Sequence, residues 1–312
     1  MALTKTLNLS RQLSTKVKDL DFNGVIVAIT TPFKENYDIS FDNLKSNLIK
    51  YEQIPFKGYL IAGTNGEAPF LSAAERVSLV KAVRGLTKRM IVGGSTAEST
   101  KATCLLTSEM RDAGADAVLV MPPFYFRKKM TDEALEEHYI TVADTCATPI
   151  ILYNNPFVSG IDLSISLITK LAKHPLIVGV KDSDIRKSAV IIENCKGCNF
   201  HVLTASAGYL VGGLLNGCTG GMVGLAGILG DEVCQIYTLC KEGKIKEASE
   251  LQRRICKPDS MLLAEFGVPA LKAALDMMGY YGGVCRPPML PLPEPHKQQI
   301  KQTLQEAGFL KA

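Results

Sequence analysis

Lys181 closes the apolar run Ile177-Val-Gly-Val-Lys181, and Tyr153 closes Ile150-Ile-Leu-Tyr153 just before Asn154-Asn155-Pro156. An amine at the last, inward position of an apolar strand is costly to keep charged, and a neutral amine is the form that attacks a carbonyl carbon. A phenol held beside it could carry a proton to and from a bound oxygen. Taken singly, each residue also has a plainer role, as a lysine opening an exposed loop or a tyrosine anchoring a turn.

Other segments carry weaker signals. Gly63-Thr64-Asn65-Gly66-Glu67 is a glycine-bracketed turn whose backbone N–H groups could cradle an anion such as a carboxylate, although an ordinary strand-to-helix connection looks the same. Pro122-Pro-Phe-Tyr125-Phe-Arg127 presents a hydroxyl and a cation on an aromatic loop, or hydrophobic cover alone. Cys195-x2-Cys198-x2-His201 has half the spacing of a zinc site, but no second Cys/His pair accompanies it. A turn between helix and strand is expected there, with no metal bound.

These residues need elements to hold them. Short β-branched runs bounded by Gly, Pro or Asn span 25–30, 58–62, 90–93, 117–121, 149–153, 177–181, 202–205 and 220–223. Segments of helical period lie between them. Ser72-Ala-Ala-Glu75 is a capping-box start, and Asp132 to Cys146 turns Leu135, Tyr139, Ile140 and Val142 inward. Eight strands alternating with helices admit a closed barrel or an open doubly wound sheet. Eight repeats in about 230 residues match the barrel, and no G-x-G-x-x-G follows the first strand. The sequence therefore predicts an α/β protein, a TIM (β/α)8 barrel with its strands and intervening helices over 21–230. Helices over 231–242, 244–256, 263–278 and 295–307 would form the last barrel helix and a C-terminal extension packed on the barrel, filling 231–312.

A barrel places its active site at the C-terminal ends of the strands, where Thr64, Tyr125, Tyr153 and Lys181 all fall. Together these strand ends resemble the dihydrodipicolinate synthase and N-acetylneuraminate lyase family of class I aldolases. Its G-[ST]-x-G-E, Y-N-x-P and V-G-x-K-D elements stand in order at Gly63–Glu67, Tyr153–Pro156 and Val178–Asp182, within a likeness covering 24 to about 290. The resemblance implies that Lys181 forms a Schiff base with a 2-oxo acid and that Tyr153 relays its protons. It further implies that Thr64 links Tyr153 to Tyr125, which reaches in from a neighbouring subunit of a homotetramer built as a dimer of dimers, and that Thr64 and Asn65 hold the substrate carboxylate. No cofactor is implied.

Within that family, Val158 stands where the synthase branch carries an arginine, and Ala205-Ser-Ala-Gly-Tyr209 offers no acidic pair of the sialic-acid lyase kind. The chain is most similar to the 4-hydroxy-2-oxoglutarate aldolase branch of animal mitochondria, through Gly63–Leu71, Lys181-Asp-Ser183, Phe266–Pro269 and Gly279–Arg286. The likeness implies cleavage to pyruvate and glyoxylate, with Ser183 and Ala205 at the aldehyde end. Asp184-Ile185 and Ala205 depart from that branch, which generally has glycines there.

Composition excludes other classes. The 312 residues are 46% hydrophobic and 21% charged, as in a folded globular protein, and the net charge of +4 leaves no basic, aromatic-rich stripe for nucleic acid. The uncharged stretch from Ala207 to Gly230 is long enough for a bilayer but broken by glycines, so it is expected as short elements of a buried α/β layer. Nine scattered cysteines without a secretory signal point to a reducing compartment. Residues 1–20 hold Lys5, Arg11, Lys16 and Lys18 against Asp19 alone, the pattern of a mitochondrial transit segment.

Overall fold

Every one of the eight apolar runs is a strand in the computed structural model, which describes residues 20–311. The expected leader therefore lies outside the described residues, apart from Leu20. The strands are β1 (Val25–Ala28), β2 (Gly58–Ile61), β3 (Met90–Gly94), β4 (Ala117–Val120), β5 (Ile150–Asn154), β6 (Ile177–Asp182), β7 (His201–Thr204) and β8 (Gly220–Val223). Each pairs in parallel with the next, and β8 pairs back onto β1, closing the barrel in sequence order.

Strand alternation divides the side chains into two cores. Ile26, Ala28, Leu60, Val92, Leu119, Ile151, Val178, Leu203 and Met222 fill the barrel interior, with Phe22 packed among them. Their neighbours, including Val25, Val27, Tyr59, Ile61, Ile91, Val118, Leu152, Val180 and Val202, face outward into the layer covered by helices.

One irregularity sets the site. In β6 strict alternation from inward Val178 would turn Lys181 outward. The β5–β6 register instead shifts between Ile150, paired with Ile177, and Ile151, paired with Gly179, so β6 carries one extra residue. The bulge reverses the alternation: Val180 packs outward and Lys181 turns into the barrel mouth.

The helices are α1 (Phe41–Tyr51), α2 (Ala73–Arg84), α3 (Thr100–Asp112), α4 (Asp132–Cys146), the single turn α5 (Pro156–Ser159), α6 (Ile165–Leu171), α7 (Ser188–Asn194), α8 (Leu210–Leu215), α9 (Gly230–Lys241), α10 (Ile245–Asp259), α11 (Val268–Met277) and α12 (Glu294–Glu306). The capping box of α2 is complete: Glu75 N–H donates to Ser72 Oγ at 3.2 Å, and Ser72 N–H to Glu75 Oε2 at 2.8 Å. The uncharged stretch divides into a short turn, α8 and β8, and among the described residues no helix is long and apolar enough to cross a membrane.

The extension departs from expectation at one place. The helix expected over 263–278 is two pieces: a π-helical segment, Ser260–Glu265, continues from α10, and α11 begins after Gly267, whose φ of 67° with ψ of −150° is a combination that glycine alone adopts readily. Pro258 lies inside α10 and lacks the N–H that an α-helical bond needs, so the wider π-turn follows directly. Leu262, Leu271, Leu275, Ile300 and Leu304 join the same outer core as the strands, so the extension is continuous with the barrel.

Candidate active site

The bulge brings Tyr153 and Lys181 abreast as register partners, with Asn154 beside Asp182 one residue on. Alternation then sends the two pairs to opposite sides. Outward, the Asn154 amide donates to both oxygens of the Asp182 carboxylate at 3.2 and 3.1 Å and to Asp162 at 2.9 Å, and its carbonyl accepts from Leu163 N–H. That clamp fixes both strand ends. Inward, the Lys181 ammonium sits 4.4 Å from the centre of the Tyr153 ring, and each residue is only 5% exposed.

The Tyr153 hydroxyl is poised for proton transfer. Asn155 Nδ2 donates to it at 2.9 Å, and Thr64 Oγ1 lies 3.5 Å away. Burial pushes the phenol up, but the Lys181 charge and the hydrogen bonds of Thr64 and Asn155 outweigh it and hold the phenol below its ordinary range. No carboxylate among the described residues forms an ion pair with Lys181.

Thr64 and Asn65 are held by a turn with a fixed interior. Gly66 N–H and Ala68 N–H both donate to the Gly63 carbonyl, and Glu67 N–H donates to that of Thr64. The left-handed positions are Ala62 and Glu67, not the glycines, and Glu67 opens a short 3-10 turn. Its side chain is fully buried: Lys272 of α11 reaches Glu67 Oε1 at 2.6 Å and donates to the Val284 carbonyl, while Arg286 N–H donates to Glu67 Oε2. Arg286 also grips Glu75 with both nitrogens and holds that carboxyl down to about 2. The Gly63–Glu67 turn is thus tied to the C-terminal extension through charge pairs.

Removing one partner of a buried pair leaves an uncompensated charge. Lys272→Met is expected to lower unfolding free energy by about 3–5 kcal/mol, with most of it recovered by adding Glu67→Gln. Denaturant midpoints of the single and double variants check this.

Thr64, Asn65, Tyr153, Lys181, Ser183 and Ala205 all line one cavity of about 640 Å³ at the C-terminal mouth of the barrel. Six residues spread over strand ends far apart in the chain thus share one surface. Asp184 and Ile185 are not among its lining residues, so of the departures noted above only Ala205 borders the cavity. Tyr125 does not join this group within one chain. It is 76% exposed, edge-on to Phe126, and its loop is pinned by Glu98, which accepts from the Phe124 and Tyr125 amides. Cys195 caps α7, Cys198 N–H donates to the Cys195 carbonyl, and His201 Nδ1 shares a hydrogen with Thr219; the segment is the turn its spacing suggested.

Sequence reasoning missed several cavity residues. Asn155 was visible inside Tyr153-Asn-Asn-Pro156 but had no assigned role. Gly224 follows β8, and a Cβ there would lie 2.1 Å from Asn65 Nδ2, so glycine is what lets Asn65 occupy its place. Ser206 and Asp259 form a polar wall opposite, and Asp259 lies outside every strand end.

Comparison with known proteins follows the same residues. The model of the dihydrodipicolinate synthetase family matches residues 21–307. The 4-hydroxy-tetrahydrodipicolinate synthases of Archaeoglobus fulgidus and Methanococcoides burtonii are 31% and 30% identical, each alignment covering 93% of this chain and 99% of the relative. Dihydrodipicolinate synthase of Acinetobacter baumannii, solved with pyruvate, superposes with a TM-score of 0.87 at 29% identity over 92% of this chain and 99% of its own. YagE, a prophage protein of the same family from E. coli K12, also solved with pyruvate, gives 0.86 at 25% identity over 92% of this chain and 99% of its own. With a match that runs from ahead of β1 to the end of α12 and takes in both Tyr153 and Lys181, the chain belongs to the dihydrodipicolinate synthetase family of class I aldolases.

Proposed function

We propose that this chain cleaves 4-hydroxy-2-oxoglutarate reversibly to pyruvate and glyoxylate through an imine on Lys181. The observation that carries the reading is the composition of the cavity: among the described residues Lys181 is its only cationic side chain, and Val158 lines it where an arginine for an amino-acid carboxylate would stand in the synthase branch. The likeness of Gly63–Leu71, Lys181–Ser183 and Gly279–Arg286 to the 4-hydroxy-2-oxoglutarate aldolase branch supports the same substrate.

In this mechanism the Thr64–Asn65 turn holds the 2-oxo acid carboxylate, and neutral Lys181 attacks C2. Tyr153 supplies the proton that lets the C2 oxygen leave as water, forming the imine. The C4 hydroxyl then gives its proton to the phenolate that step leaves on Tyr153, the C3–C4 bond breaks, and its electron pair moves into the protonated imine to give an enamine. Glyoxylate departs. Protonation at C3 and hydrolysis release pyruvate and restore the amine. The protonated imine draws electrons as a metal ion would in other aldolases. Ser183 faces the glyoxylate portion.

The names of the relatives favour a second reading, condensation of pyruvate with aspartate semialdehyde. A panel of 2-oxo acids read by pyruvate release, with pyruvate consumption in the presence of each aldehyde, separates the two. Preferred consumption of aspartate semialdehyde would replace the main reading, and loss of carbon dioxide from oxaloacetate would mark a decarboxylase.

Tyr125 belongs in this reading as the residue a second copy contributes, within a dimer of dimers. Mixed dimers of Lys181→Ala and Tyr125→Phe subunits, isolated with two affinity tags, are expected to regain activity that both parents lack, since one site then holds both native residues. Mixed dimers no better than their parents would remove Tyr125 from the neighbouring site. In the same reading we take the basic segment 1–20 as an address to the mitochondrial matrix.

A further inference from the structure

Among the described residues between β6 and α7, Ser183 alone borders the cavity. Both of its backbone groups are engaged. Its N–H donates to the Asn154 carbonyl at 3.2 Å, and its carbonyl accepts from the Tyr209 hydroxyl at 3.0 Å. The side-chain hydroxyl is then what Ser183 can offer a ligand.

Tyr209 reaches Ser183 from a separate element. It ends the turn after β7, lines the same cavity and is half-buried. That turn is itself anchored. Gly208 N–H donates to Ser206 Oγ at 3.0 Å and to Asp259 Oδ2 at 3.2 Å, and Ser206 Oγ donates to the same carboxylate oxygen at the end of α10. A continuous path therefore runs from α10 through Gly208 and Tyr209 to Ser183 and on to the Asn154 carbonyl in β5.

The place of this path in the mouth decides what it can act on. In a barrel closed in sequence order, β2 and β6 stand opposite one another. On the imine reading, a 2-oxo acid has its carboxylate at the turn after β2 and its C2 on Lys181. Its remaining carbons then run away from β2, toward the ends of β6 and β7, where Ser183, Ala205 and Tyr209 lie. We propose that Tyr209 is a positioning residue for the aldehyde end: by holding the Ser183 peptide it fixes the Ser183 hydroxyl against the part of the substrate that leaves as aldehyde. This rests on the reading of Lys181 as the imine-forming amine and of Ser183 as the aldehyde contact. Burial pushes the Tyr209 phenol up, and the Asp259 and Asp182 carboxylates add to the effect, so the hydroxyl stays a donor at neutral pH.

Two assays on the full chain separate the halves of the reaction. Pyruvate in deuterated water exchanges its methyl hydrogens through the imine and enamine alone, whereas cleavage of 4-hydroxy-2-oxoglutarate also uses the aldehyde end. Tyr209→Phe keeps the ring and removes the donor. Its kcat/KM for cleavage should fall about 2- to 10-fold, the range for losing one neutral hydrogen bond, while exchange stays near native. Ser183→Ala should lose at least as much cleavage, again with near-native exchange. The double variant separates positioning from plain packing. A residue that acts through Ser183 has nothing left to position once that hydroxyl is gone, so the double variant should be no slower than Ser183→Ala.

Native cleavage by Tyr209→Phe, equal losses of exchange and cleavage, or losses that multiply in the double variant overturn the assignment while leaving the imine intact. Native cleavage by Ser183→Ala overturns it as well, since Tyr209 would then have no contact to position. Absence of exchange in the native chain overturns the imine reading and this inference with it. Exchange without cleavage marks a wrong choice of aldehyde, and the three variants are then compared on the aldehyde that the substrate panel identifies.

Discussion

Reduction with borohydride in the presence of pyruvate should trap one adduct per chain, on Lys181, and Lys181→Ala should abolish both the adduct and turnover. Among the described residues two lysines are buried, and their surroundings separate them. Lys272 is 1% exposed, paired with Glu67 and bonded to the Val284 carbonyl, so its lone pair is withheld from an incoming carbonyl. Lys181 lines the cavity against an aromatic face and has no carboxylate holding it in the charged form. Reduction converts the imine to a secondary amine that cannot hydrolyse, so intact mass and peptide mapping locate it directly. Lys181→Arg makes a stricter variant, because it retains a cation yet forms no imine under these conditions. An adduct mapped to Lys272, or turnover by either Lys181 variant, would end the Schiff-base assignment.

The repeating strand–helix pattern was legible because each run is short, apolar and punctuated, and because parallel barrel strands are buried on both faces. The motifs lie at the strand ends, and a barrel gathers those ends at one mouth, so the Gly63–Glu67 turn, Tyr153 and Lys181 could be placed at a common cavity from chain position, whereas Ser183 and Ala205 entered only through the family resemblance. The inward direction of Lys181 was expected for a reason the structure replaces. Simple alternation from Val178 points it outward, and only the extra residue in β6 brings it in; no local signal in Ile177-Val-Gly-Val-Lys181 marks a bulge other than the glycine itself. Asp259 was illegible for a different reason. It enters from a helix beyond the last strand, through a π-turn that depends on Pro258 and on tertiary packing. The Glu67–Lys272 pair spans the whole barrel sequence, so neither residue announces the other.

Those long-range ties bear on how the site works. The turn with Thr64 and Asn65 is held from below by its own carbonyls and from the extension by Lys272 and Arg286, while Gly224 leaves the space that Asn65 fills. In the proposed mechanism, a carboxylate cradle held in this way would need little reorganisation when an anion arrives. The extension is therefore tied to the turn that the proposed mechanism uses, and is more than a cover.

The remaining large effect concerns the proton that must move at each step. Tyr153→Phe removes one hydroxyl and leaves the ring 4.4 Å from Lys181 in place, so packing and fold should be retained, at a cost of about 1 kcal/mol for the lost hydrogen bonds. Turnover should fall roughly 10²- to 10⁴-fold, the range for removing a positioned general acid–base. The phenol is held below its ordinary range beside Lys181, a position that in the proposed mechanism would let it give a proton to the departing C2 oxygen and take one back. Exchange of the pyruvate methyl hydrogens in deuterated water supplies an independent readout, because it needs the imine and enamine but no aldehyde. Both turnover and exchange should drop in Tyr153→Phe while the variant unfolds at nearly the native denaturant midpoint. Asn155→Ala, which removes the 2.9 Å donor and spares the hydroxyl, should show a smaller loss in both. Near-native exchange in Tyr153→Phe would assign the relay to another group, and a loss confined to aldehyde cleavage would limit Tyr153 to the C4 oxygen.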